Sequence, residues 1–141
     1  MVYGIGCDLC SIARMEKSLL GPHGAVFARR VFGPAEQAAL GLPLAEEEGK
    51  ARRTAHTVAS AAADFAAKEA FLKAAGTGLR EPFSLCEIEA VRLPSGAPNY
   101  RFSGKTAEWV AAHHLTAKLS LSHDGGMALA FCTLEQLPPE T

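Results

Sequence analysis

No apolar run in this chain approaches the ~20 residues that a membrane-crossing helix needs. The N-terminus has no basic region followed by a long apolar segment, so it does not read as a secretory signal. Neither sign of charge predominates: the formal net charge is −1 at pH 7. A generally basic nucleic-acid binder is excluded on that balance. The G-x-x-x-x-G-K-[ST] pattern is missing, so there is no phosphate-binding P-loop. There are four cysteines, Cys7, Cys10, Cys86 and Cys132. Cys7 and Cys10 form a C-x-x-C, but no second Cys or Cys/His pair follows, and Cys7 falls in a predicted strand rather than opening a helix. Packing cysteines in a reducing compartment fit better than a zinc or redox centre. There is no internal repeat and no low-complexity segment. With 141 residues, the chain suits one domain spanning residues 1–141, with a modest core and a cytoplasmic setting.

What is abundant is alanine, concentrated between about Ala55 and Ala75. Alanine is the strongest helix former, and no proline interrupts this run. Gly76, with Gly78 close behind, supplies the stop. Small and apolar side chains occur all round the predicted helix, so most of it is expected to be buried. Lys68, Glu69 and Lys73 nevertheless stand inside it. Glu69 and Lys73 are four apart and share a face. They suit either a solvated ion pair or a carboxylate and an ammonium lining a pocket for phosphate and a cation.

The opening Val2–Leu9 alternates as a strand. Tyr3, Ile5, Cys7 and Leu9 make one face; Val2, Gly4, Gly6 and Asp8 make the other. The two glycines bare the face that carries Asp8, so another element can approach closely. Asp8 also suits a helix cap, with Ser11 competing for that role at a short helix over 12–20. A break at 21–24 precedes a second piece over 25–32, and Pro34 starts a third through about Leu40. Residues 41–54 are the most polar part, carrying Glu46 to Glu48, Lys50, Arg52 and Arg53, and read as a connection. Beyond Gly78, Pro82 introduces a strand over about 83–93, then a turn over 94–98 and a short strand over 99–102. Ser103 is placed to cap a helix reaching about His114. Lys118–His123, Asp124-Gly-Gly126 and Met127–Leu134 then form a hairpin.

Three stretches gain meaning together: G-I-G-C-D at the start, F-A-A-K-E-A-F-L-K-A-A-G-T-G in the long helix, and S-L-S-H-D near the end. In this order and at these separations they resemble the holo-acyl-carrier-protein synthase family, the small 4′-phosphopantetheinyl transferases. The Gly-Ala-Pro turn at 96–98 resembles that family's G-x-P turn, and the likeness runs from about Val2 to Glu135. It implies an α+β fold in which a small, mostly antiparallel sheet packs on a long buried helix with short helices around it. It implies transfer of 4′-phosphopantetheine from coenzyme A to a serine of apo acyl carrier protein, releasing adenosine 3′,5′-bisphosphate, with Mg²⁺ as cofactor. By position, Asp8 and Glu69 match the metal-binding carboxylates and Lys73 the lysine near the pyrophosphate. His123, Gly76, Arg53 and Pro98 fall at nucleotide-binding positions, and Arg14 at one that meets the acidic carrier protein. A homotrimer with active sites at subunit interfaces is implied as well.

The chemistry agrees with that likeness. Phosphoryl transfer needs positioning and charge neutralisation more than covalent help. Mg²⁺ usually takes one or two protein carboxylates plus phosphates and waters. Two candidates for the base stay open, Glu69 and a water beside the metal. Asp64 departs from the family, which carries a basic or amide residue there, at a position that faces the nucleotide. An aspartate facing phosphate would weaken binding, so Asp64→Arg or Asp64→Asn is expected to tighten it unless Arg52 or Arg53 supplies the charge. Two rivals accompany the transferase reading: a non-catalytic module of the same fold that binds coenzyme A or a carrier protein, and a redox or zinc protein using Cys7 and Cys10.

Overall fold

The computed structural model describes residues 1–44 and 51–138, with the backbone alone for 51–53. Its centre is α4 (Ala51–Ala75), a 25-residue helix on which the other elements pack. Ala61, Ala62, Ala66, Ala67 and Ala70 are fully buried along it, so neighbouring backbones come close on every side. The chain opens with β1 (Val2–Ser11), followed by α1 (Ile12–Leu20), α2 (Gly24–Val31) and α3 (Pro34–Leu40). Ser11, not Asp8, caps α1: its hydroxyl accepts the Arg14 N–H at 3.2 Å. That frees the Asp8 carboxylate for other work.

The rest of the sheet structure follows α4. A 3₁₀ turn (Leu85–Glu87) leads into β2 (Ile88–Arg92) and β3 (Pro98–Phe102); α5 (Gly104–Ala112), β4 (Leu115–Asp124) and β5 (Met127–Gln136) complete the chain. All strand pairs are antiparallel, in a three-stranded sheet ordered β1-β5-β4 and a separate β2-β3 pair. The sequence pattern had extended the strand before residue 94 back to about Phe83. Residues 85–87 turn instead, because their polar groups are used elsewhere. The Leu85 carbonyl accepts from Lys68 at 3.1 Å, and the Glu87 carboxylate accepts the Thr106 N–H at 3.3 Å and its hydroxyl at 3.1 Å. Glu87 thereby caps α5, while the Ser103 side chain makes no capping bond.

β1 meets α4 with its bare face. A Cβ on Gly4 would overlap the Ala74 carbonyl, and one on Gly6 would overlap the Ala70 carbonyl and lie 2.7 Å from the Ala74 nitrogen. The opposite face of β1 points outward: Ile5 is 61% and Leu9 60% exposed. Strand alternation also splits the C-x-x-C, leaving Cys7 exposed while Cys10 is half-buried against the core.

On the far side of α4, Phe71 meets Phe83, Tyr100 and Phe102, with ring centroids 5.6, 6.0 and 4.9 Å away. A second cluster unites Met15, Leu19, Phe32, Val58 and Ala128 under α1 and α2.

Candidate active site

Asp8 and Glu69 lie 61 positions apart in the chain and meet because Gly4 and Gly6 let β1 lie flat on α4. Lys73, one turn beyond Glu69, donates from its ammonium to the Asp8 carboxylate at 3.1 Å and to the Cys7 carbonyl at 2.9 Å. Its partner is thus Asp8 on the neighbouring strand, across 65 positions of chain, and the pair spans two elements. The Glu69 carboxyl is held above its ordinary value, chiefly by burial, then by the negative charge of Asp8, against the offsetting charge of Lys73. Asp8 in turn raises the Lys73 ammonium through its hydrogen bond and its charge. A carboxylate whose ionisation is disfavoured by a second one beside it forms, with that neighbour, a natural seat for a cation.

The donor set suits a hard ion. Both groups offer oxygen, both are partly exposed, and two carboxylates match the usual protein share of a Mg²⁺ shell. Among the described residues no three His, Cys, Asp or Glu side chains gather as a fuller metal cage. The remaining positions of such a shell are left to water and phosphate.

The other predicted residues fall elsewhere. His123 and Pro98 line a cavity of about 340 Å³ together with His56, Ser60, Arg92 and Gly96. None of Asp8, Glu69 or Lys73 lines it. Gly76 ends α4 in a left-handed conformation with φ 83°, its N–H donating to the Leu72 and Lys73 carbonyls, both at 3.1 Å. It is exposed and shapes the helix end. Arg14 is exposed on α1, at the rim of a small cavity lined also by Ser18, Phe27 and Phe65. The Arg53 side chain, like that of Arg52, lies outside the described residues.

Asp64 lies in the interior of the fold. It is 6% exposed, and its carboxyl is pushed up to about 8, first by burial and then by the charge and proximity of Glu36. It belongs to a buried polar cluster. There, Lys68 donates to Glu36, to the Leu85 carbonyl at 3.1 Å and to the Ile88 carbonyl at 2.6 Å. Burial and Glu36 favour its protonated form, and Asp64 also lines a cavity with His56, Ser60 and Arg92, three residues of the His123 cavity. Sequence reasoning left Lys68 and Glu36 without a role. The available signal was a lysine in the middle of an alanine-rich, all-round apolar helix, where a cation must find buried acceptors.

Residues 4–132 match the family model of the 4′-phosphopantetheinyl transferase superfamily, and the chain belongs to that family. It is 42% identical over 143 residues to a holo-[acyl-carrier-protein] synthase of Methylobacterium radiotolerans, covering 98% of this chain and 96% of the relative. A solved holo-(acyl-carrier-protein) synthase from Bacillus anthracis, in complex with CoA (3′,5′-ADP), superposes with a TM-score of 0.71 at 30% identity, covering 97% of this chain and 99% of the other. The corresponding enzyme from Neisseria meningitidis gives 0.72 at 29% identity, covering 96% and 100%. Fold and family agree with the resemblance drawn from the three motifs.

Proposed function

We propose that this chain is a holo-[acyl-carrier-protein] synthase. It transfers 4′-phosphopantetheine from coenzyme A to a serine of apo acyl carrier protein and releases adenosine 3′,5′-bisphosphate. One transferase unit, residues 1–141, carries the activity. The observation that carries the reading is the convergence of Asp8, Glu69 and Lys73 from two elements on one patch of mixed charge. A Mg²⁺ ion held by Asp8 and Glu69 would neutralise charge on the pyrophosphate oxygens. Lys73 aims its ammonium at the same oxygens once its bond to Asp8 is exchanged for one to phosphate. The serine oxygen forms the new bond to phosphorus as the pyrophosphate P–O bond breaks. Glu69, or a water beside the metal, would take the proton the serine gives up.

The pocket for the nucleotide is assigned to the cavity of His123, Pro98 and Gly96; roles for Arg53 and Gly76 rest on the family resemblance alone. Arg14, exposed on α1, meets the acidic carrier protein, and Lys17, Arg29 and Arg30 add positive charge on α1 and α2. A homotrimer with sites at the subunit interfaces accounts for two features together. The outer sheet face pairs Leu9 with Leu129 and Cys7 with Phe131 in register, all exposed. The cavity holding His123 is lined by none of the carboxylates it must serve. The setting is cytoplasmic; among the described residues no helix is long and apolar enough to cross a membrane.

The rival readings lose their footing. The binding-module reading leaned on Asp64; against it stands the retention of Asp8, Glu69, Lys73 and His123. The redox or zinc reading needed Cys7 and Cys10 side by side, and the strand turns them to opposite faces.

Incubating an apo acyl carrier protein with coenzyme A, Mg²⁺ and this protein is expected to add one phosphopantetheine mass. Asp8→Asn and Glu69→Gln are each expected to slow that shift by about 100-fold or more. Full activity in either variant removes that carboxylate from the mechanism.

A further inference from the structure

The residue before Glu69 is built into the interior. Lys68 is 0% exposed, and its ammonium has three acceptors: the Glu36 carboxylate, the Leu85 carbonyl at 3.1 Å and the Ile88 carbonyl at 2.6 Å. An ammonium has three N–H donors, so none is left over. Glu36 is tied in equally firmly. Its carboxylate accepts the Gly33 N–H at 3.1 Å and the Ala90 N–H at 3.0 Å, while its own N–H donates to Glu89 at 2.9 Å. One side chain of α4 is therefore bonded to α3, the 3₁₀ turn and β2. On the opposite face the bare lane of β1 presses against Ala70 and Ala74. Glu69 lies between these two anchorages, a single residue from the first.

We infer that Lys68 is a positioning residue for the cation site: its buried clamp sets the azimuth of α4 and so holds the Glu69 carboxylate toward Asp8. This rests on the metal-binding reading of Asp8 and Glu69. A buried ion pair contributes little net stability compared with an apolar pair of similar size, and a defined geometry is what such a pair supplies best. Misaiming a carboxylate by the play of a loosened helix costs the ligand its share of the cation, whereas no residue of the clamp lines the His123 cavity.

The test is coenzyme A binding by calorimetry, with and without Mg²⁺, in the doubly neutral variant Lys68→Met/Glu36→Gln and in Lys68→Arg. The planar fork of Arg in the second variant does not reproduce three divergent ammonium bonds. Affinity without Mg²⁺ is expected to stay within about twofold, and the gain on adding Mg²⁺ to fall by about tenfold or more. A folded variant that keeps the whole gain overturns the inference, as does equal loss with and without Mg²⁺. Glu69→Gln, run alongside, tests the underlying reading: an undiminished gain there sinks both, whereas an undiminished gain only in the Lys68 variants sinks the positioning role. Hydrogen exchange on the unsubstituted protein gives a second readout. Mg²⁺ with coenzyme A is expected to slow the Glu36 and Ala90 amides, which donate within the clamp. Unchanged exchange at both overturns the coupling.

Discussion

At the scale of single residues, charge does different things at neighbouring positions of one helix. Glu69 holds its proton more tightly than an ordinary glutamate because burial and Asp8 disfavour the carboxylate, and Lys73 relieves part of that. In the proposed mechanism the ionised form is the one that would hold the cation. Activity is therefore expected to fall as pH drops through a Glu69 value above the usual carboxylate range. Lys73→Met removes the relieving charge, so the acidic limb of its kcat/KM profile is expected to move to higher pH. A limb that stays put or moves down contradicts this assignment. Asp64 behaves in the opposite sense for stability. Its folded-state value of about 8 lies above that of an unfolded aspartate, so the folded chain holds the extra proton and loses stability as pH rises from about 4 to 8. Asp64→Asn mimics the protonated form. Its melting temperature is expected to equal the parent's near pH 4 and exceed it by several degrees at pH 9. That Asp8, Glu69 and Lys73 come together was legible because each sits in one of the sequence motifs. Lys68 and Asp64 were misjudged because a charge within a helix looks the same in one dimension whether it meets water or Glu36, 32 positions upstream of Lys68.

At the scale of elements, the sequence pattern located every helix and strand within a few residues where hydrophobic periodicity or a glycine or proline signal governed. The alternation of β1 and its bare lane, the alanine run of α4, the Pro34 start of α3 and the Gly125-Gly126 hairpin turn were all readable. It failed over residues 83–87, where tertiary hydrogen bonds donated by Lys68 and by Thr106 outweigh local β propensity. The lane itself makes a sharp prediction. Gly6→Ala adds one methyl group against the Ala70 carbonyl and the Ala74 nitrogen, both backbone, so neither can swing aside. Overpacking of this kind costs about 1–3 kcal/mol. A chemical denaturation midpoint is expected to fall accordingly, together with transferase activity, because β1 carries Asp8. An unaltered midpoint would mean that strand and helix separate more easily than their packing suggests.

At the scale of the whole molecule, the apolar outer face of the β1-β5-β4 sheet and the incomplete site point the same way. The proposed trimer covers Ile5, Leu9, Leu129 and Phe131, all exposed on the sheet. None of this was visible from periodicity alone, since an alternating strand does not say which of its faces another copy of the chain will cover. The separation of the His123 cavity from the Asp8 pair has a genetic consequence. In the proposed trimer, two crippled versions of this protein, one Asp8→Asn and the other His123→Ala, would each damage a different half of a shared centre. Subunits exchanged between them assemble some centres from two sound halves, so a mixture is expected to turn over substrate where each stock alone does not. Persistent inactivity of the mixture, with exchange verified by mass, would show instead that every copy works with its own halves only.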